Sequence, residues 1–363
     1  MLIGEPRRPY FLDIDTGSNL TWLECQAGKG PCTTCNKVPH RLYTPTPDKL
    51  VPCADPLCDT LHQDLGTTKN CRDPPGQCSY EVTYLDGSSL GVLLLDKFPL
   101  PRLGGTDNNY PTIAFGCGYD QVGDPNKPET VAVDGILGLG RGSVGMVSQL
   151  KQKGSISYNS VAHCLSTKGG GYLYIGAELD SSQVTWVPMA PATPGRPNYY
   201  SPGQATLYLD TTSIGTKSLS VIFDSGITIR DIRHRIHDMW RMLQLEASLS
   251  KSLKVVSDPA LALCWEGPSP FRSVEDLKKE FESLVSLKFD SGVSMMIPPE
   301  NYLIITERGN ACFGILPLLG LDMYLIGDIT MQDQLVIYDN EKGMIGWMPP
   351  LCDKEGYQVR PKL

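Results

Sequence analysis

YFLDIDTGSNLTW, residues 10–22, is a short apolar strand running into a tight turn, Asp15-Thr16-Gly17-Ser18, with a second apolar run from Leu20. A carboxyl group at the mouth of a glycine turn is an acid presented on a rigid element. The chain carries a second such turn, VIFDSG from Val221 to Gly226, centred on Asp224. Roughly a hundred residues after each turn comes a hydrophobic–hydrophobic–Gly triplet. These are Ile136-Leu137-Gly138 and Leu325-Ile326-Gly327. That order predicts a duplicated β lobe, in which each glycine lets a further strand approach closely behind an Asp turn.

With 363 residues and 41% hydrophobic content, the chain can bury a core large enough for two lobes. Its 40 acidic and 32 basic residues give a net charge of −8. With that balance and no basic block, nucleic acid and anionic membrane surfaces are poor partners, and no nucleic-acid partner is expected. Of 12 cysteines, most lie in the first half: Cys25, Cys32, Cys35, Cys53, Cys58, Cys71, Cys78, Cys117 and Cys164. Cys264, Cys312 and Cys352 follow later. An even, clustered count predicts disulfides and an oxidising compartment. Zinc at Cys32-x-x-Cys35 needs a partner pair of similar spacing, which Cys53/Cys58 and Cys71/Cys78 do not supply, so no metal is expected. Met1 leads directly into LIGEPRRPYFLDI without a secretory signal, so the true N-terminus is expected to lie upstream. The longest apolar candidate, Ala311 to Gly327, is interrupted by Pro317 and Asp322, so no membrane span is expected.

Along the chain, residues 1–24 read as two β segments around the first Asp turn. Residues 25–80 are rich in Cys, Pro and Asp and read as a stapled insertion with few regular elements. Residues 80–95 read as a β-hairpin around Asp86-Gly87, with Tyr84 near its tip. A strand is expected over Thr112–Gly118, a short helix near Met146–Lys151, and paired strands around Gly169–Gly171. The Pro-rich segment 188–202 is the expected linker between lobes 1–187 and 203–363. Strands over Thr206–Ile214 and Leu219–Phe223 lead into the second turn. Ile232, Ile236, Met239, Trp240 and Leu243 then recur at helical spacing, and a further short helix is expected over Val274–Leu284.

Other motifs carry less. Asp13-Ile14-Asp15 matches the start of the haloacid-dehalogenase nucleophile motif, but Gly17 stands where that motif needs Thr or Val. Gly138-x-Gly140-x-Gly142 lacks the lysine of a P-loop and reads as packing glycines. His234-x-x-His237 lacks a third ligand and lies among arginines, a solvated basic face. Asn19-Leu20-Thr21 is a glycosylation sequon by pattern, expected to be unused inside the Asp15 turn.

In combination and order, DTGSNLTW, the Cys-rich insertion, YEVTYLDGSSLG, FGCGYDQ, DGILGLGRG, VIFDSG and YLIGD resemble the pepsin-like aspartic proteases over nearly the whole chain. Within them, the chain is most similar to the plant nucellin and nepenthesin type. The resemblance implies a mostly β, bilobal pepsin-like fold: two pseudo-symmetric β lobes, a central cleft and few short helices. It implies an endopeptidase in which Asp15 and Asp224 form the catalytic dyad, one from each lobe. Thr16 and Ser225 would hydrogen-bond across to the opposite turn, Gly17 and Gly226 would let backbone N–H groups approach, and Ser18 would donate to Asp15. Tyr84, with Asp86, Gly87 and Trp22, would form a flap over bound peptide. The implied disulfides are Cys25–Cys32, Cys35–Cys117, Cys53–Cys78, Cys58–Cys71, Cys164–Cys352 and Cys264–Cys312. It also implies a secreted or vacuolar monomer that acts on peptides and proteins without a cofactor.

The second turn departs from this pattern. Ile227 stands where the resemblance expects Thr or Ser, so a hydroxyl donor to Asp224 is missing, which raises the pair's apparent pKa. Thr228, Ile229, Arg230 and Asp231 also stray from it, and the strand expected before Leu2 is absent from the sequence. These departures carry the alternative: a weak or inactive pepsin-like protein acting as a binding protein or inhibitor.

Overall fold

The computed structural model describes residues 1–26, 42–69, 71, 76–84, 87–100, 110–123, 133–178, 182–191, 199–227, 252–261, 263–314, 323–348 and 352. Cys32, Cys35, Asp86, the helix expected over 232–243 and residues 192–198 of the expected linker lie outside them.

Each Asp turn ends a strand whose neighbour is the hydrophobic–hydrophobic–Gly triplet. In the first half, Leu12–Asp15 runs parallel to Gly135–Gly138, with Asp15 level with Gly138. This pair forms one edge of a six-stranded sheet, continuing through Trp22–Glu24, Thr112–Gly123, Gly87–Lys97 and Ser79–Tyr84. In the second half, Thr212–Phe223 runs parallel to Met323–Ile326, with Phe223 level with Ile326. This pair ends a five-stranded sheet that continues through Tyr200–Leu209, Val285–Phe289 and Ser294–Ile297. Gly138 is required by close approach, because a Cβ there would lie 2.6 Å from the Leu20 carbonyl carbon.

A third sheet, of five strands, joins the two halves. Its order is Gly171–Ile175, Ser160–Leu165, Leu335–Asp339, Met344–Met348 and Thr185–Pro188. Strands from both sides of residues 188–202 therefore share one ladder. Its Tyr338 and Trp347 pack against Tyr200 and Phe223, with Phe223 and Trp347 stacked at 6.3 Å. A four-stranded sheet in the second half places Cys264 directly opposite Cys312.

Two elements differ from the sequence reading. The expected strand Thr206–Ile214 is a hairpin: Tyr200–Leu209 and Thr212–Phe223 turn at Asp210, whose φ is +51°. The Cys-rich insertion holds a ten-residue helix, Pro56–Leu65. Asp55 caps it by accepting from the Leu57 N–H, Pro56 starts it and Gly66 ends it in the left-handed conformation.

That helix and the Trp22–Glu24 strand correct the disulfide pairing. Cys25 bonds to Cys117, not Cys32, and Cys35 is thereby excluded as the partner of Cys117. Trp22–Glu24 runs parallel beside Thr112–Gly123, which brings the two Cα atoms to 5.3 Å. Cys58 bonds to Cys78 rather than Cys71, and Cys53 to Cys71 rather than Cys78. Cys58 and Leu61 share the buried helix face, so Cys58 meets the buried Cys78 and leaves Cys53 and Cys71 as the outer pair. Cys164–Cys352 and Cys264–Cys312 are paired as the resemblance implied.

Candidate active site

The two Asp turns meet face to face and lock by reciprocal hydrogen bonds. The Thr16 N–H donates to Ser225 Oγ at 3.1 Å, and the Ser225 N–H donates to Thr16 Oγ1 at 3.0 Å. Each hydroxyl then donates to a main-chain carbonyl of the opposite strand, Thr16 to Phe223 at 3.3 Å and Ser225 to Ile14 at 2.7 Å. Thr16 and Ser225 are buried, so these bonds hold the halves at one separation in a dry setting. The glycines record how closely the turns approach. A Cβ on Gly17 would lie 2.2 Å from Asp224 Oδ2, and one on Gly226 would lie 2.7 Å from Asp15 Oδ1.

The two carboxyl groups lie close enough to shift each other's proton affinity, but their surroundings are unequal. Asp15 accepts from the Gly17 N–H at 2.8 Å and from the Ser18 hydroxyl at 2.5 Å. Asp224 accepts from the Gly226 N–H at 3.1 Å. Ile227 stands three residues after Asp224, as Ser18 does after Asp15, and has no hydroxyl to offer. Burial raises both carboxyls above the usual range, and for Asp224 the negative charge of Asp15 raises it further. Asp224 is therefore the member that keeps a proton while Asp15 ionises first.

Tyr84 and Trp22 meet as the sequence suggested: the Trp22 indole N–H donates to Tyr84 Oη at 2.7 Å, with ring centroids 6.5 Å apart. Gly87 pairs with Tyr84 across the hairpin, while Asp86 lies outside the described residues. Asn19 is buried, and its Oδ1 accepts from the Gly142 N–H at 2.9 Å, so the sequon asparagine is a structural prop in the folded chain. Gly140 and Gly142 are packing glycines: a Cβ on either would lie within 2.5 Å of the Asn19 side chain.

Two residues near the pair were not singled out from the sequence. Tyr199 lies within electrostatic reach of both carboxylates, and burial followed by those charges raises its phenol above the usual range. It falls at the end of the linker segment, where no periodicity marks it. Tyr338 is fully buried with His163 Nε2 3.3 Å from its Oη, and its phenol is likewise raised, chiefly by burial. In QLVIYDN it reads as an ordinary strand aromatic. Asp328, after the second Gly triplet, is pushed up to about 6 by burial, with the Asp13 charge adding to the shift.

A β protein built from two such halves, each contributing one Asp turn to a shared buried pair, is of the pepsin-like class. Two family profiles, described as "Xylanase inhibitor N-terminal" and "Xylanase inhibitor C-terminal", match residues 1–177 and 201–349. An aspartic proteinase of Oryza sativa subsp. japonica is 46% identical, over 98% of this chain and 87% of that relative. Aspartic proteinase nepenthesin-1 of Nepenthes gracilis is 26% identical, over 96% of this chain and 76% of the relative. The crystal structure of an aspartic proteinase from Irpex lacteus superposes with a TM-score of 0.63 at 16% identity, over 97% of this chain and 94% of the other. The chain belongs to the plant pepsin-like aspartic proteinase family. Among the described residues, no helix is long and apolar enough to cross a membrane.

Proposed function

We propose that the protein is an aspartic endopeptidase that hydrolyses peptide bonds between Asp15 and Asp224. The observation that carries this reading is the reciprocal lock of Thr16 and Ser225, which holds two unequal, interacting carboxyls together in a buried site. Two carboxyls so close cannot both ionise cheaply, behaviour for which aspartic proteases are the reference case. The apparent pKa values belong to the pair. In the shared-proton state, ionised Asp15 takes a proton from a water held between the carboxyls, and the resulting hydroxide adds to the peptide carbonyl carbon. Asp224 gives its proton to the carbonyl oxygen. Asp15 then passes its proton to the departing amide nitrogen as the C–N bond breaks, and Asp224 recovers a proton from the collapsing diol. Tyr84 covers the peptide from the hairpin with Trp22 bonded to its hydroxyl, and extended peptides or proteins are the substrates. The disulfides suit a secretory or vacuolar compartment.

The test is acid proteolysis of a denatured protein by the full-length gene product, with and without pepstatin. Cleavage that pepstatin blocks supports the reading; pepstatin-insensitive cleavage removes it. A second reading, a pepsin-like binding protein or inhibitor without turnover, is favoured by Ile227 beside Asp224 and by the inhibitor description of the matching profiles. Under it, no cleavage occurs at any pH although the folded chain is intact.

A further inference from the structure

The helix Pro56–Leu65 of the Cys-rich insertion reaches the back of the Asp15 turn. Cys58 and Leu61 on its buried face pack with Leu20, Trp22, Tyr80 and Val144 in one apolar cluster. Cys58 is bonded to Cys78, the residue before the hairpin strand Ser79–Tyr84. Asp64 follows Leu61 by three residues, so it emerges beside that face, half-buried in the last turn. Its Oδ2 accepts from the Val144 N–H at 2.5 Å. Val144 is buried, so its N–H depends on that oxygen.

From Val144 a series of hydrogen bonds leads to Asp15. A Cβ on Gly142 would lie 2.5 Å from Asn19 Cγ and 2.6 Å from Asp64 Oδ2, so the two side chains converge on this glycine. The Gly142 N–H donates to Asn19 Oδ1 at 2.9 Å. The Gly140 N–H donates to the Ser18 carbonyl and the Leu139 N–H to the Asp15 carbonyl, each at 2.8 Å. Loop 139–145 is thus held at one end by the Asp15 turn and at the other by Asp64. Ser18, which the loop bonds through Gly140, is the residue whose hydroxyl donates to the Asp15 carboxyl. Burial raises the Asp64 carboxyl above the usual range, and the Val144 N–H opposes that rise, as a bond to the ionised form does.

We propose that Asp64 is a positioning residue for Asp15: it holds loop 139–145, and the loop holds Ser18 where its hydroxyl meets the Asp15 carboxyl. The inference rests on the endopeptidase reading for its kinetic consequence alone. The experiment compares the full chain with Asp64→Asn, which keeps an acceptor oxygen without the charge, and with Asp64→Ala, which removes both. The first readout is the pH titration of the Val144 and Gly140 amides by NMR, which needs no turnover. Expected is one common step in the parent that Asp64→Asn abolishes. A Gly140 amide without that step overturns the inference whatever the activity, and does so even where Asp64→Ala does not fold. The second readout is kcat/KM on a peptide substrate against pH. Asp64→Ala loosens the Ser18 donor, so the acid limb, set by Asp15, moves up by about half a unit, while Asp64→Asn keeps the parent's limb. Loss of the Asp64 charge alone would lower the proton affinity of Asp15. An acid limb that falls or stays in place in Asp64→Ala therefore also overturns the inference. A shared amide step in a chain without proteolysis supports the positioning role while the endopeptidase reading falls.

Discussion

Replacing Ile227 by Thr tests how the unequal carboxyl surroundings set the pH range of the site. Asp15 accepts from one N–H and one hydroxyl, whereas Asp224 accepts from one N–H. A threonine at 227 occupies the place in its turn that Ser18 holds in the other, three residues after the Asp. A hydrogen bond to a charged group contributes roughly 1.5–3 kcal/mol, and one pKa unit is about 1.4 kcal/mol. One added donor to Asp224 is therefore worth about one to two units. Its sign is downward, because the donor favours the ionised carboxylate. The pair loses its shared proton from Asp224, so the alkaline limb of the profile of kcat/KM against pH carries the change. The acid limb follows Asp15, whose own donors are untouched, and moves less. In Ile227→Thr the alkaline limb falls by about one unit relative to the parent. Profiles that overlay would refute both the assignment of the proton to Asp224 and the role given to Ile227.

Other expectations rest on contacts elsewhere. Gly17→Ala puts a methyl 2.2 Å from Asp224 Oδ2, so the carboxyl must move; a shift of about 1 Å costs roughly a hundredfold in kcat/KM. Gly226→Ala, with 2.7 Å to Asp15 Oδ1, is the milder of the two when both are assayed side by side. Thr16→Ala leaves the buried Ser225 N–H without its acceptor and lowers unfolding stability by about 1–3 kcal/mol in denaturant titration. Glu24 is pushed up to about 7, first by burial and then by the Asp134 charge. Its folded pKa is above the unfolded value, so its protonation favours the fold at low pH, and that contribution is lost as pH rises through about 7. Glu24→Gln flattens the dependence of melting temperature on pH between about 4.5 and 7. An unchanged slope would contradict the burial of that carboxyl.

The repeated Asp turns and Gly triplets made the halves legible before any coordinates, because both features depend on local spacing and on close backbone approach. The two Asp turns follow from local motifs, whereas the cross-bonding of Thr16 and Ser225 and the Trp22–Tyr84 contact were implied by the family resemblance. What escaped depends on distant neighbours. The pairing of Cys25 with Cys117 is set by a parallel strand contact across 92 residues, which no spacing rule reports. Tyr338 and His163 stand on separate strands and meet only through sheet register. The helix Pro56–Leu65 was legible after all: Asp55-Pro56 at its start and Gly66 at its end are cap signals, obscured by the density of cysteines around them.

The most direct measurement is peptide hydrolysis by the full-length gene product and by Asp15→Asn and Asp224→Asn, each at the parent's optimal pH. The paired mechanism predicts that either single replacement lowers kcat/KM by about a hundredfold to ten-thousandfold, since each removes one partner in proton transfer. It also predicts that both variants keep the parent's melting temperature within a few degrees. Cleavage at the parent's rate by Asp15→Asn would contradict it.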